Sequence, residues 1–110
     1  MKLIKMSCIT ASLFSFILGG TTGKLTGKIL DESTGEPLIG CNIILDGTYL
    51  GSSSNNEGEY TILNIPPNIY IIRFEMIGYK KILNEEVVIF SDKTTVLNGS
   101  MASSVISGDE

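Results

Sequence analysis

The fold is decided by the stretch DGTYLGSSSNNEGEY, which covers residues 46–60. Glycine, serine, asparagine and aspartate dominate this stretch, and each of these residue types favours a tight turn. Before Tyr60 its only large apolar residues are the neighbours Tyr49 and Leu50. Because hydrophobic segments of similar length lie on both sides, we predict a double turn between strands here.

The segments on either side of this double turn alternate apolar and polar residues, as half-buried strands do. They cover residues 24–30, 40–46, 60–63, 69–76, 86–90 and 94–101. Beyond the N-terminal leader, no stretch repeats apolar residues at the spacing of a helix face. The sequence therefore predicts an all-β domain of about seven short strands, arranged as a β-sandwich.

The same alternation predicts which side chains face the core. The inward set is Leu25, Ile29, Ile43, Leu45, Tyr60, Ile62, Ile65, Tyr70, Ile72, Phe74, Val87, Ile89 and Leu97. Cys41 shares a face with Ile43 and Leu45, and the chain has no histidine to act as its base. We therefore predict that Cys41 is a buried structural thiol.

The composition limits the class of partner. The chain has 8 basic and 12 acidic residues, a net charge of −4. Lys2 and Lys5 lie in the leader, so the remainder carries six basic against twelve acidic residues, near −6. Phosphate-backbone binding needs clustered lysine and arginine, so nucleic acid is excluded as a partner.

The N-terminus has the three-part pattern of a secretory signal peptide. Residues 1–5 are basic, residues 6–18 are apolar, and residues 19–23 are small and suited to cleavage. A membrane-spanning helix needs about 20 apolar residues, and this run is shorter. We predict a signal peptide over residues 1–22, cut between Gly20 and Gly23, a domain over residues 24–102, and a linker over residues 103–110.

Several short motifs occur together along the predicted domain. They are GKILD at 27–31, TGEPLIGCNI at 34–43, DGT at 46–48, GS at 51–52, NEGEY at 56–60, IPPNIY at 65–70 and IGY at 77–79. In this order and spacing the chain resembles the carboxypeptidase regulatory-like domain, from Lys24 to about Met101. The resemblance implies a seven-stranded, transthyretin-like (prealbumin-like) sandwich.

Three positions depart from the family's usual pattern. Cys41 stands where the family has a small residue, and Asn56 where it commonly has aspartate. Gly99 stands where the last strand carries an apolar side chain, which predicts that this strand is frayed. The positions expected to be structural are Gly35, Pro37, Gly40, Gly47, Gly58, Tyr60, Pro66, Tyr70, Gly78 and Tyr79. No catalytic, cofactor-binding or metal-binding residue is expected.

The resemblance implies an accessory, non-catalytic role. Such domains precede the plug and barrel of TonB-dependent outer-membrane receptors of the SusC-like kind, on the periplasmic side. The alternative is a spacer or adhesive domain of a secreted peptidase or cell-surface protein. The expected partners are a downstream domain of the same protein and other proteins of the periplasm or cell surface. We expect the chain to be an N-terminal piece of a longer protein.

Four sharper site hypotheses compete with simpler structural interpretations. Residues 55–59 offer oxygen ligands for calcium but lack the regular acidic spacing of a calcium loop. Asp31, Glu32 and Glu36 resemble paired glycosidase carboxylates but lie in a predicted exposed turn. Lys28 and Asn98 suggest an isopeptide crosslink, which needs a buried lysine, whereas the pattern places Lys28 outward. A final set suggests contact with a glycan or a protein partner: Tyr49, Leu50 and Tyr79.

Overall fold

The computed structural model describes residues 21–104, and the predicted signal peptide lies outside them except for its last two residues. The strands are β1 Gly23–Asp31, β2 Asn42–Leu45, β3 Gly51–Ser53, β4 Glu59–Ile65, β5 Asn68–Glu75, β6 Ile82–Ile89, β7 Thr94–Val96 and β8 Gly99–Met101. The all-β prediction is confirmed. Within residues 21–104 there is no helix long and apolar enough to cross a membrane.

The strands form two sheets that face each other. In the first sheet the order is β4-β1-β7, with β8 also pairing with β1. In the second sheet the order is β3-β2-β5-β6, and all its neighbours are antiparallel. β1 is antiparallel to β4 but parallel to β7 and β8. We call the end where β1 starts at Gly23 the lower end, and the end where it stops at Asp31 the upper end.

The structure has eight strands where the sequence predicted about seven. Compared with the six alternating segments of the sequence, β3 is additional and the last segment is divided into β7 and β8. β3 lies inside the predicted double turn, where Gly51 to Ser53 pair with Ile44 to Asn42. Its three small residues bury little apolar surface, so they carry no alternation that would reveal a strand.

The predicted last strand is divided in two at Leu97 and Asn98. The Leu97 amide donates to the Thr26 carbonyl at 2.8 Å, and the Asn98 Oδ1 accepts from the Lys28 amide at 2.9 Å. β8 then resumes pairing, with Gly99 opposite Ile29. The fraying expected at Gly99 is therefore wrong, and glycine is required there because a Cβ would lie 2.5 Å from the Phe74 ring.

β6 is longer than predicted at its N-terminal side. It starts at Ile82, and a register shift divides its pairing with β5 between Tyr70 and Ile72. Glu86 has a φ of 59° at this irregularity. The two glutamates there interrupt the apolar alternation, which explains why only the part after Glu86 was recognised as a strand.

The core lies between the two sheets and contains almost the whole predicted inward set. The buried hydrophobic side chains are Leu25, Ile29, Leu38, Cys41, Ile43, Leu45, Tyr60, Ile62, Ile65, Ile72, Phe74, Ile89 and Met101. Tyr70, Val87 and Leu97 are partly buried against them. Two buried core residues were not predicted from the sequence. Leu38 lies in a loop, and Met101 is the last residue of β8. The Cys41 thiol is buried beside Met101, with their sulfurs 3.6 Å apart.

Candidate interaction surfaces

Within the segment proposed to bind calcium, the Asn55 side chain is hydrogen-bonded to the backbone of its own turn. The Asn55 Oδ1 accepts from the amides of Glu57 and Glu59, each at 2.9 Å. The Asn55 amide in turn donates to the Glu59 carbonyl at 2.9 Å. Among the described residues there is no group of three histidine, cysteine, aspartate or glutamate side chains that could hold a metal ion.

The proposed carboxylate group does not form a paired acid site. Asp31 Oδ1 accepts from the Ser33 amide at 2.8 Å, the Ser33 hydroxyl at 2.9 Å and the Thr34 amide at 3.0 Å. Asp31 Oδ2 accepts from the Tyr79 hydroxyl at 2.6 Å. These bonds, with that from Tyr79 foremost, lower the pKa of Asp31 well below its usual range. Glu32 and Glu36 are exposed.

The lysine and asparagine considered for a crosslink are neighbours in the fold. Asn98 receives a hydrogen bond from the Lys28 backbone amide, not from its side chain. Lys28 is exposed, whereas an isopeptide bond needs a desolvated lysine. Because the Lys28 side chain is exposed to water, the arrangement does not support crosslinking.

The five glycines expected to be structural lie in turns with left-handed backbone. Their φ values are 77° at Gly35, 82° at Gly40, 81° at Gly47, 79° at Gly58 and 91° at Gly78. At Gly58 a side chain would also meet the chain itself, because a Cβ would lie 2.6 Å from the Ile29 carbonyl oxygen. Gly58 is thus required both by its left-handed backbone conformation and by the steric contact that a Cβ would make.

Of the expected prolines and tyrosines, Pro37, Pro66 and Tyr79 lie in connections between strands, whereas Tyr60 lies in β4 and Tyr70 in β5. Pro37 forms a bridge with Leu30. The Tyr70 hydroxyl donates to the Pro66 carbonyl at 2.6 Å, near the lower end. The Tyr60 hydroxyl donates to the Leu97 carbonyl at 2.6 Å, and burial raises the pKa of Tyr60. The bond to Asp31 raises the pKa of Tyr79.

The outward side of the second sheet exposes large apolar side chains. They are Ile69, Ile71, Leu83, Val88 and Phe90, which we call the outer apolar face. Ile69 lies directly opposite Val88, and Leu83 lies opposite Arg73. Several exposed large apolar side chains on one sheet are a feature of many interaction sites.

Arg73 is the basic residue at the centre of this side of the sheet, and acidic neighbours pair with it. Its guanidinium contacts Asp46, and its Nε lies 2.8 Å from Glu75 Oε2. The Asp46 amide also donates to the Ile71 carbonyl at 2.9 Å, which fixes the acidic partner beside the face. The positive charge of Arg73 is thereby paired with two carboxylates, so this group of side chains carries one formal negative charge in excess.

The residues proposed for glycan or partner contact have different environments. Tyr49 is fully exposed in the loop between β2 and β3, whereas Leu50 packs against the core. Tyr79 is tied to Asp31. A polar groove of about 530 Å³ lies along β1 and β4, lined by residues including Thr26, Lys28 and Glu59. Tyr60 also borders it but is 2% exposed, so its ring offers a sugar no stacking surface.

The family assignment follows from a comparison of the chain with protein-family models. The model of the CarboxypepD_reg-like domain matches residues 25–110. The chain therefore belongs to this family, as its motifs predicted. Its fold and family are those of accessory β-sandwich domains.

A curated relative links the chain to receptors. The TonB-dependent receptor SusC of Bacteroides thetaiotaomicron is 30% identical over 74 residues. The match covers 64% of this chain but 7% of the receptor, so the chain spans a small fraction of this relative's length.

Solved structures share the fold. A type II cohesin–X–dockerin complex from Acetivibrio cellulolyticus superposes with a TM-score of 0.61 at 19% identity, over 73% of this chain and 53% of that one. A putative carbohydrate binding protein from Bacteroides uniformis gives 0.58 at 25% identity, over 74% and 42%. The minor pilin GBS52 of Streptococcus agalactiae gives 0.56 at 17% identity, over 78% and 46%.

Proposed function

We propose that this chain is a non-catalytic accessory domain and forms the N-terminal periplasmic extension of a TonB-dependent outer-membrane receptor. The observation that carries the proposal is the match to SusC, which falls on the domain itself. The signal-peptide pattern of residues 1–22 supports export across the inner membrane. The periplasm is then where the domain meets its partners.

The geometry of the second sheet supports an interaction role. The outer apolar face exposes 61% of Ile69 and 54% of Phe90, beside an arginine whose charge is locally paired. Asp31 is engaged in its own loop, and Glu32 and Glu36 are exposed. We propose that the outer apolar face contacts another part of the same receptor or a periplasmic protein that serves it.

The proposal is tested by deleting codons 24–102 in frame from the complete gene in its own organism. We expect the receptor to remain in the outer-membrane fraction, because a plug and barrel fold without this domain, while growth on the imported nutrient slows. Normal growth of the deletion strain at normal receptor levels would contradict an accessory role in import.

A double substitution on the face provides a sharper version of the same test. Ile69→Ser with Val88→Ser removes two opposed apolar side chains, which are 61% and 37% exposed. We expect this variant to fold and to reproduce part of the growth defect. The matched control is Thr61→Ser with Leu63→Ser on the outward side of β4, which should leave growth unchanged. Equal growth of both variants and wild type would contradict the proposal that the outer apolar face contacts a partner.

The alternative function is a spacer or adhesive sandwich of a secreted peptidase or surface protein. One observation favours it: the chain enters at the lower end and leaves at the upper end, since β8 runs parallel to β1. The nine residues of β1 separate these ends by roughly 30 Å. Recovery of the domain from the culture medium, attached to a peptidase or a surface repeat, would favour this alternative over the receptor.

A further inference from the structure

The segment by which the chain leaves the domain is joined to both sheets. We call residues 101–104 the exit segment. The Met101 carbonyl accepts from the Glu32 amide at 2.9 Å, directly after β1 of the first sheet. The Ala102 carbonyl accepts from the Lys80 amide at 2.8 Å, and the Ser104 amide donates to the Gly78 carbonyl at 2.9 Å. Residues 78–80 belong to the connection that follows β5 of the second sheet. The exit segment therefore forms backbone hydrogen bonds to residues that follow a strand of each sheet.

The exit segment is anchored at its start by a buried side chain. Met101 is 0% exposed and lies beside the Cys41 thiol. Tyr79 and Ser103 form an isolated antiparallel bridge. The hydrogen bonds of Ala102 and Ser104 lie on either side of this bridge, as expected for a short stretch of antiparallel pairing. The chain is therefore held through Ser104, beyond the end of β8.

Tyr79, which forms the bridge with Ser103, is also joined to β1 by a side-chain hydrogen bond. The Tyr79 hydroxyl donates to Asp31 Oδ2 at 2.6 Å. The other oxygen of Asp31 accepts from the Ser33 and Thr34 amides, so the carboxylate cannot rotate freely. Tyr79 is thereby held against the last residue of β1. The turn that carries Gly78 and Lys80 is held with it.

We propose that the Asp31–Tyr79 hydrogen bond is a clamp that fixes the direction in which the chain leaves the domain. Without the clamp, the turn at residues 78–80 would lose its side-chain hydrogen bond to β1 and keep its backbone bonds and the packing of the Tyr79 ring, and the exit segment would separate from it more often. With the clamp, whatever follows Ser104 starts from a rigid point at the upper end. The domain then acts as a stiff extension of the next part of the protein, whichever continuation follows. Residues 103 and 104, which the sequence assigned to the linker of residues 103–110, are therefore paired with the domain.

The clamp is tested by amide hydrogen exchange in the full chain, measured by NMR, for wild type and Tyr79→Phe. The substitution keeps the ring and removes only the hydroxyl. Exchange at the Lys80 and Ser104 amides is expected to accelerate roughly tenfold, the effect of losing one hydrogen bond to a charged group. The amides of Ile62 and Phe74, in the interior of the two sheets, should exchange at wild-type rates.

A matched control is available at the opposite end of the domain. Tyr70→Phe removes a tyrosine hydrogen bond of the same 2.6 Å length, made to the Pro66 carbonyl near the lower end. It should leave exchange at Lys80 and Ser104 unchanged. The clamp is refuted if Tyr79→Phe leaves these two amides at wild-type rates. It is also refuted if Ile62 and Phe74 accelerate as much, because the effect would then be a general loss of stability.

Discussion

At the scale of single residues, Asp31 organises the upper end of the sandwich. It ends β1, accepts three bonds within its own loop and receives the Tyr79 hydroxyl from across the domain. The sequence indicated a charged turn here. It did not indicate the Asp31–Tyr79 contact, because the two residues are 48 positions apart and only the sandwich brings them together.

The lowered pKa of Asp31 predicts a pH-dependent contribution to stability. A carboxyl group whose pKa is lowered on folding stabilises the domain above its unfolded pKa of about 3.9, and this stabilisation is lost as the pH falls towards the folded pKa. In urea unfolding, Asp31→Asn should therefore be less stable than wild type at neutral pH. The difference should be smaller at about pH 2.5.

The control for this prediction is Glu57→Gln, which changes an exposed carboxylate in the turn before β4. It should change the free energy of unfolding by less than about 0.5 kcal/mol at either pH. A deficit of Asp31→Asn that stays constant between the two pH values would show that the charge of Asp31 is not the source of its stabilisation.

A comparison of Gly58 with Gly35 separates the cost of a left-handed backbone from the cost of a steric contact. Gly58→Ala places a methyl group 2.6 Å from the Ile29 carbonyl oxygen at a φ of 79°. Gly35→Ala has nearly the same φ, 77°, but meets no heavy atom within 4 Å. We expect Gly35→Ala to cost about 1–2 kcal/mol for the left-handed backbone alone. Gly58→Ala should cost clearly more in the same urea titration, and equal costs would contradict the close contact.

At the scale of elements, the sequence predicted best where apolar alternation was strong. β1 and β5 have long alternating runs, and their inward residues Leu25, Ile29, Ile72 and Phe74 are all buried. β3 could not be predicted because glycine and serine at residues 51–53 are typical of turns. The segment is a strand because its backbone pairs with β2. The split between β7 and β8 depends on the Asn98 bond to Lys28, a contact over 70 positions that no local pattern encodes.

β4 is an edge strand, and its open side predicts a position-specific tolerance for proline. The Ile29 amide donates to the Gly58 carbonyl, so the backbone groups of Ile62 face β1 while those of Thr61 face the open edge. Ile62→Pro removes a ladder bond and should cost about 3 kcal/mol or more, whereas Thr61→Pro leaves the ladder intact and should cost much less. Thermal unfolding followed by circular dichroism distinguishes the two. Equal loss in both variants would contradict the pairing register.

At the scale of the whole molecule, two apolar surfaces of the second sheet have different roles. Its inner side packs on the first sheet, with Phe74 fully buried and its ring 6.1 Å from that of Tyr60 in an edge-to-face contact. Its outer side carries the outer apolar face, where Phe90 is 54% exposed. The sequence predicted that Val87 and Ile89 oppose Val88 and Phe90. The pairing of Arg73 with Asp46 required the structure, because Asp46 lies in the turn after β2, 27 positions from Arg73.

The two phenylalanines provide a direct test of this division. Phe74→Ala should lower the free energy of unfolding by about 3–5 kcal/mol, because it leaves a cavity in the core. Phe90→Ala should cost clearly less than Phe74→Ala, since Phe90 is 54% exposed and its removal leaves no enclosed cavity. Both are measured by urea unfolding of the full chain. A large loss for Phe90→Ala in the isolated chain would show that the outer apolar face is part of the fold and not available to a partner.

The family and the fold are established for this chain, while its place in a receptor is the central proposal. The most direct measurement is the sequence of the gene beyond the codon for Glu110. The account predicts that the frame continues into a plug and then a long series of amphipathic strands that form an outer-membrane barrel. A stop codon directly after Glu110, or a continuation into a peptidase or a surface repeat, would contradict the receptor proposal.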